Sequence, residues 1–217
     1  MLRIERHFIK LFLAFAAIHA GASEPIKAIE SAPKPPLDGK KILFVVPARN
    51  FRDEELFDTR KNLTDAGAQS WVASTVGDSI TGMLLAKVKP DGLLGDAKIA
   101  NFDAVIFVGG SGATALWDNK DAHKLAQEAQ KQNKVIGAIC LAPVILARAG
   151  VLRNCSAAVF ESAKGELEKA GVKYVQKEVA VCGNIITANG PGAVQKFAVE
   201  IKNALTKQQA KPANIQK

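Results

Sequence analysis

The residue in this chain best placed to do chemistry is Cys140. It follows Val135–Ile139 (VIGAI), a run apolar enough for a buried strand, and precedes Leu141–Ala149, which reads as a helix stopped by Gly150. The small Gly137 and Ala138 permit a tight strand-to-helix turn, and residue 140 sits at its apex, as in a nucleophile elbow. Helix-start amides and the helix dipole favour an anion there, so the thiol is expected to have a lowered pKa and raised reactivity. Pro143 suits the first helical turn, where its missing N–H matters little. Two other features could act with the thiol. Gly109-Gly110-Ser111-Gly112 follows the apolar run Ala104–Val108 and would bring backbone N–H groups close to a ligand, where they can stabilise an oxyanion. Glu55 lies near the start of a helix expected over Asp53–Ala66, and a protonated carboxyl there could donate to a thiolate. Each feature also has a plainer reading: a structural cysteine, an ordinary glycine turn, a solvated helix carboxylate.

These residues need a frame, and the pattern of the chain supplies one. Strand-length apolar runs at Lys41–Pro47, Gln69–Ser74, Ala104–Val108 and Val135–Ile139 alternate with helical patterns at Asp53–Ala66, Lys120–Gln132 and Leu141–Ala149. Short strands and glycine turns are expected over 75–96. Further strands are expected at Ala157–Phe160, Val172–Gln176, Val179–Cys182 and Ile185–Thr187, with a closing helix over Gly192–Leu205. Continuous apolar strands alternating with helices imply an α/β fold whose mostly parallel sheet is covered on both faces. Ligand sites in such sheets lie beyond the carboxyl ends of the strands, where Gly109-Gly110 and Cys140 both fall.

The 217 residues suit one domain plus extensions, and a hydrophobic fraction of 48% is enough for a sizeable core. The formal charge is +8, but residues 1–22 hold +2 of it and the tail from Lys207 holds +3. No Lys/Arg run or aromatic stacking motif points to nucleic acid. Residues 1–22 read as a signal peptide. Arg3, Arg6 and Lys10 precede the apolar Leu11–Ile18, and Ala20-Gly21-Ala22 offers a cleavage site. That apolar run is far short of the ~20 residues of a spanning helix, so no stable membrane anchor is expected. The mature protein is expected to be secreted or periplasmic. Residues 23–39 hold four prolines and read as a linker, 40–205 as the domain, and 206–217 as a polar tail. Three cysteines in an oxidising compartment leave at least one unpaired, or one bonded between chains. Either Cys155 bonds Cys182 and Cys140 is free, or all three thiols stand alone.

Three segments taken in order resemble the ThiJ/PfpI family, which includes the parkinsonism-associated deglycase and several stress proteins. They are Phe51-Arg52-Asp53-Glu54-Glu55-Leu56, Val108-Gly109-Gly110-Ser111-Gly112-Ala113 and Ala138-Ile139-Cys140-Leu141-Ala142-Pro143. Gly150-Val151-Leu152 and Thr187-Ala188-Asn189-Gly190-Pro191-Gly192 continue the likeness. The resemblance implies a flavodoxin-like three-layer sandwich with a class I glutamine amidotransferase-like elbow, forming a homodimer and needing no cofactor. It implies Cys140 as the reactive thiol, Glu55 as the buried acid bonded to it, and the amides of Gly110 and Leu141 as oxyanion donors. The activities it implies are glyoxal or methylglyoxal hydration, deglycation, peptidase activity in some branches, and oxidation-sensitive protective roles.

The chain departs from that family at the base. Peptidase-like members carry a His directly after the cysteine, where this chain has Leu141. Others carry a His or Tyr in the strand after the next loop, where this chain reads Ala157-Ala158-Val159-Phe160. His7 and His19 fall in the signal segment, and His123 reads as a surface residue. Peptidase and glutaminase chemistry are therefore disfavoured. No metal-site spacing, P-loop or dinucleotide fingerprint is present. Three readings remain: a glyoxalase-like enzyme for small carbonyl compounds using Cys140 and Glu55, a non-enzymatic sensor or protective protein in which an oxidant converts Cys140 to a sulfinate, and a ligand-binding module without chemistry.

Overall fold

The computed structural model describes residues 33–210. Residues 1–22, the segment read as a signal peptide and holding His7 and His19, lie outside them, as do the first part of the proline-rich stretch and the end of the tail.

Twelve strands and five helices follow in order: β1 (Lys41–Val45), β2 (Arg49–Phe51), α1 (Asp53–Asp65), β3 (Gln69–Ser74), β4 (Ile80–Gly82), β5 (Lys87–Val88), β6 (Gly92–Leu93), β7 (Ala104–Phe107), α2 (Lys120–Lys131), β8 (Val135–Ile139), α3 (Pro143–Arg148), β9 (Ser156–Ala157), α4 (Lys164–Lys169), β10 (Lys173–Tyr174), β11 (Val179–Cys182), β12 (Ile185–Ala188) and α5 (Val194–Ala210). The main sheet has the order β11-β12-β8-β7-β1-β3-β6. All its pairings are parallel except β11 with β12. The succession β3-β1-β7-β8-β12 is the flavodoxin-like order, and ligands in such folds bind where the strand order reverses, beyond the strand ends.

The apolar strand runs are continuous because successive side chains enter two cores. Ile42 and Phe44 of β1, Ala104 and Ile106 of β7, and Val135 and Ile139 of β8 pack toward α1 and α5, with Leu56, Leu63, Phe197 and Ile201. Leu43, Val45, Val105, Phe107, Ile136 and Ala138 pack toward α2, α3 and α4, with Leu125, Ile145 and Leu167. Gly137 of β8 lacks a side chain for a packing reason: a Cβ there would sit 2.9 Å from the Phe197 ring.

Several segments differ from expectation. Only Ser156–Ala157 and Lys173–Tyr174 of the runs expected at 157–160 and 172–176 are strands. They pair with each other in a separate small sheet and do not join the main one. The segment Lys164–Lys169 is a helix the apolar pattern does not announce, since Leu167 alone of its residues is buried. The proline-rich stretch is packed at its end, where Leu37 is fully buried and its N–H donates to the Ala66 carbonyl (2.8 Å). At the other end α5 runs through the start of the polar tail to Ala210.

Candidate active site

Cys140 sits directly after β8 with φ +63°, in the left-handed region that costs a non-glycine residue roughly 1–2 kcal/mol. The surroundings hold it there from both sides. Its N–H donates to the Ala188 carbonyl at the end of β12 (2.9 Å), and its own carbonyl accepts from the Phe160 N–H (2.9 Å). The side chain is nearly buried. The amides of Gly110 and Leu141 both lie within hydrogen-bonding reach of its sulfur.

Glu55, in the first turn of α1, is fully buried and faces the same point. The Gly109 N–H donates to its Oε2 (3.0 Å). The Cys140 thiol comes within reach of the carboxyl. Oε1 is buried without a hydrogen-bond partner. Gly109 and Gly110 permit this convergence. A Cβ on Gly109 would lie 2.5 Å from the Cys140 Cβ and 2.6 Å from Glu55 Oε2. Gly110 has φ +93°, and a Cβ there would strike the Arg52 amide and the Asn50 carbonyl.

Burial pushes the Glu55 carboxyl up to about 7, against the pull of the thiol, the Gly109 amide and the Arg52 guanidinium. The thiol is also pushed up, to about 12, first by burial and then by the Glu55 charge. This reverses the expected lowering. The Gly110 and Leu141 amides do stabilise a thiolate, but desolvation and a neighbouring carboxylate outweigh two amides. The two groups therefore titrate as a pair, holding one proton between them over the pH range between their pKa values.

Three supports around the elbow have no signature in the sequence. Ile145 N–H bonds to Ala142 O in a tight three-residue turn, which leaves the Leu141 carbonyl without its helical partner. The indole N–H of Trp117 donates to that carbonyl instead (2.9 Å). Trp117 is in turn held by the Arg148 guanidinium, 5.1 Å above its ring, and Arg148 is clamped by Asp118 (2.5 Å) and Glu166 (2.6 Å). His123 is half-buried with its Nε2 2.7 Å from the Trp117 carbonyl, so it serves this strut and not the thiol. On the other side, buried Asp53 accepts from the amides of Leu84 (2.8 Å) and Ala86 (3.2 Å), fixing the β4–β5 turn to the first turn of α1.

The structure bonds Cys155 to Cys182, tying the segment before β9 to the edge strand β11. Cys140 is the free thiol. No group of three or more His, Cys, Asp or Glu with metal-binding geometry occurs among the described residues.

The DJ-1/PfpI family model matches residues 40–204. A deglycase of Pyrococcus horikoshii is 32% identical over 165 residues, covering 76% of this chain and 99% of the relative. A glutathione-independent glyoxalase of Caenorhabditis elegans is 28% identical over 166 residues, covering 76% of this chain and 89% of the relative. Among solved structures, a ThiJ/PfpI domain protein from Brachyspira murdochii superposes with a TM-score of 0.76 at 32% identity, covering 78% of this chain and 99% of that one.

Proposed function

Because the chain belongs to the DJ-1/PfpI family, we propose that it is a cysteine-dependent enzyme for small reactive carbonyl compounds, with Cys140 as nucleophile and Glu55 as proton carrier. The observation that carries this is the buried pair itself: a strained elbow thiol and a carboxyl, both pushed up, sharing one proton near neutrality. The tautomer with the proton on Glu55 presents a thiolate beside an acid. The sulfur adds to an aldehyde carbon, a C–S bond forms, and the carbonyl oxygen takes the Glu55 proton to give a hemithioacetal. The Gly110 and Leu141 amides are suited to hold the oxygen as charge develops on it. The resulting carboxylate then removes the proton from the former aldehyde carbon and returns it to the adjacent one, while the hydroxyl proton passes to the neighbouring oxygen, leaving a 2-hydroxy thioester. Water hydrolyses that to a 2-hydroxy acid and frees the thiol. No step requires the absent histidine.

Methylglyoxal turnover without glutathione tests this. Cys140→Ser and Glu55→Gln are expected to lower it at least ~100-fold. Turnover equal to wild type in either variant sinks the mechanism.

The sulfinate reading of the same site keeps one support: with Cys155 and Cys182 bonded to each other, oxidation of Cys140 has no resolving thiol within the chain. We also propose export to an oxidising compartment. The basic, apolar, small-residue order of residues 1–22 supports it, and so does the disulfide, since such bonds persist outside the reducing cytosol. Homodimer formation is proposed too, supported by exposed Phe57, Leu84 and Leu85 beside the start of α1.

A further inference from the structure

A cavity of about 450 Å³ opens beside the elbow, within the size range of small-ligand sites. Its walls include Phe160, Tyr174, Asn189 and Pro191. Two of these walls connect to Cys140 by single backbone hydrogen bonds. Phe160 donates its N–H to the Cys140 carbonyl, and the Cys140 N–H donates to Ala188, the residue before Asn189. Cys140 does not itself line the cavity, but this bonding sets it one residue from the Phe160 and Asn189 walls.

The chemistry of the walls narrows what would fill it. The two carboxylates at the rim are already engaged, Glu161 by the Tyr174 hydroxyl (2.8 Å) and Glu178 by Lys196. They are poor anchors for a cationic group. The Phe160 ring is 44% exposed, a large aromatic surface left uncovered beside a reactive centre. It rests against Gly190, where a Cβ would approach the ring to 3.2 Å. Phe160 ends the segment Ala157-Ala158-Val159-Phe160, which carries no titratable side chain, so the neighbour of the elbow here is a hydrocarbon face.

Resting on the small-carbonyl reading of Cys140, we infer that Phe160 is the specificity-determining residue of this site, receiving the substituent of an aryl or bulky alkyl 2-oxoaldehyde in the Phe160–Pro191 cavity. An aromatic substituent gains area burial and an offset or edge contact with the ring.

A matched pair of α-bromoketones tests this without any turnover. Bromoacetone and phenacyl bromide alkylate the thiolate alike: a C–S bond forms, the C–Br bond breaks, and bromide leaves. Their rate constants at Cys140 are each divided by the rate constant with free cysteine. In the wild type the corrected preference for phenacyl bromide is expected to be about tenfold. Phe160→Ala keeps the backbone amide that holds the Cys140 carbonyl, and the preference should fall to near one. Phe160→Leu, which keeps an apolar side chain, should be intermediate. A wild-type preference no greater than that of free cysteine overturns the inference, and so does a preference that survives in Phe160→Ala. An aryl preference in a protein that turns over no 2-oxoaldehyde would instead sink the enzymatic reading and leave the subsite standing.

Discussion

Replacing Glu55 by Gln should make Cys140 more reactive toward an alkylating agent and less able to catalyse. The opposition follows from the shared proton. In the wild type the pair gives up its first proton near pH 7, mostly from the carboxyl, and the thiol is pushed up to about 12. Two unit charges about 4 Å apart repel by about 4 kcal/mol at an effective dielectric near 20, or about three pK units. Burial is the larger cause of the rise in the thiol and the Gly110 and Leu141 amides offset part of it, so the Glu55 charge contributes roughly two units. Without that charge the thiol of Glu55→Gln titrates near ~10. In the wild type, the tautomer with the proton on Glu55 then makes up about a thousandth of the singly protonated pair. The variant's advantage in thiolate grows from about twofold at pH 7 to about fiftyfold at pH 9. Iodoacetamide rate constants across that range, with Cys140 modification read by mass spectrometry, give both profiles. The wild type should show an early step near neutrality and only a shallow rise beyond it, and the variant a single steep rise. A variant slower than wild type at pH 9, or an unchanged early step, would refute the shared-proton account.

The same raised carboxyl predicts a pH-dependent stability. The folded state favours protonated Glu55, so this contribution is fully present below the ordinary value of 4.5 and is lost as pH rises through about 7. Denaturant titrations should show Glu55→Gln gaining on wild type across that window, by up to ~3 kcal/mol; parallel curves would contradict it. Trp117→Phe removes the indole donor to Leu141 while keeping most of the ring. A loss of about 1 kcal/mol in the elbow should appear as a several-fold fall in kcat with little change in KM, and an unaltered kcat would show that the strut does not position the elbow. Opening the Cys155–Cys182 bond by paired Ser substitution frees a loop spanning a sequence separation of 27. The expected loss is about 3–4 kcal/mol of stability by chemical denaturation, and no loss would mean the bond does not form in the purified protein.

The sheet was legible because its strands are buried on both faces. Ile42 and Phe44 enter one core and Leu43 and Val45 the other, and a continuous apolar run is the one-dimensional trace of that. The positions of Cys140 and Gly109-Gly110 were legible for a related reason, since each follows directly on an apolar run, whereas Glu55 was marked only by its place near the start of a helical pattern. The sign of the thiol shift was not legible. It depends on how deeply two side chains 85 residues apart in sequence are desolvated together, and no local pattern encodes that. Trp117 was invisible because the carbonyl it serves is orphaned only by the tight turn at Ala142–Ile145. Helix α4 was missed because a single buried Leu167 makes no periodicity. Leu37 was hidden by its proline-rich setting, where composition argued against packing that one well-placed side chain nonetheless makes.

The missing histidine bears differently on the site once the pair is seen as one titrating unit. A separate base activates a thiol that is otherwise protonated and is then available to pass the proton onward. Here the carboxyl is itself raised close to neutrality by burial, so it can hold a proton as an acid and surrender it as a base in the same pH range. That suits chemistry in which a proton leaves and returns to neighbouring atoms, as in converting a hemithioacetal to a thioester. It suits amide hydrolysis poorly, because the departing amine must be protonated at a distance from the carboxyl, and neither Leu141 nor Phe160 offers a group to do it. The substitution of hydrocarbon for imidazole thus acts twice. On the proposed reading it disfavours peptidase chemistry, and at Phe160 it supplies an apolar surface for the substituent of a carbonyl compound.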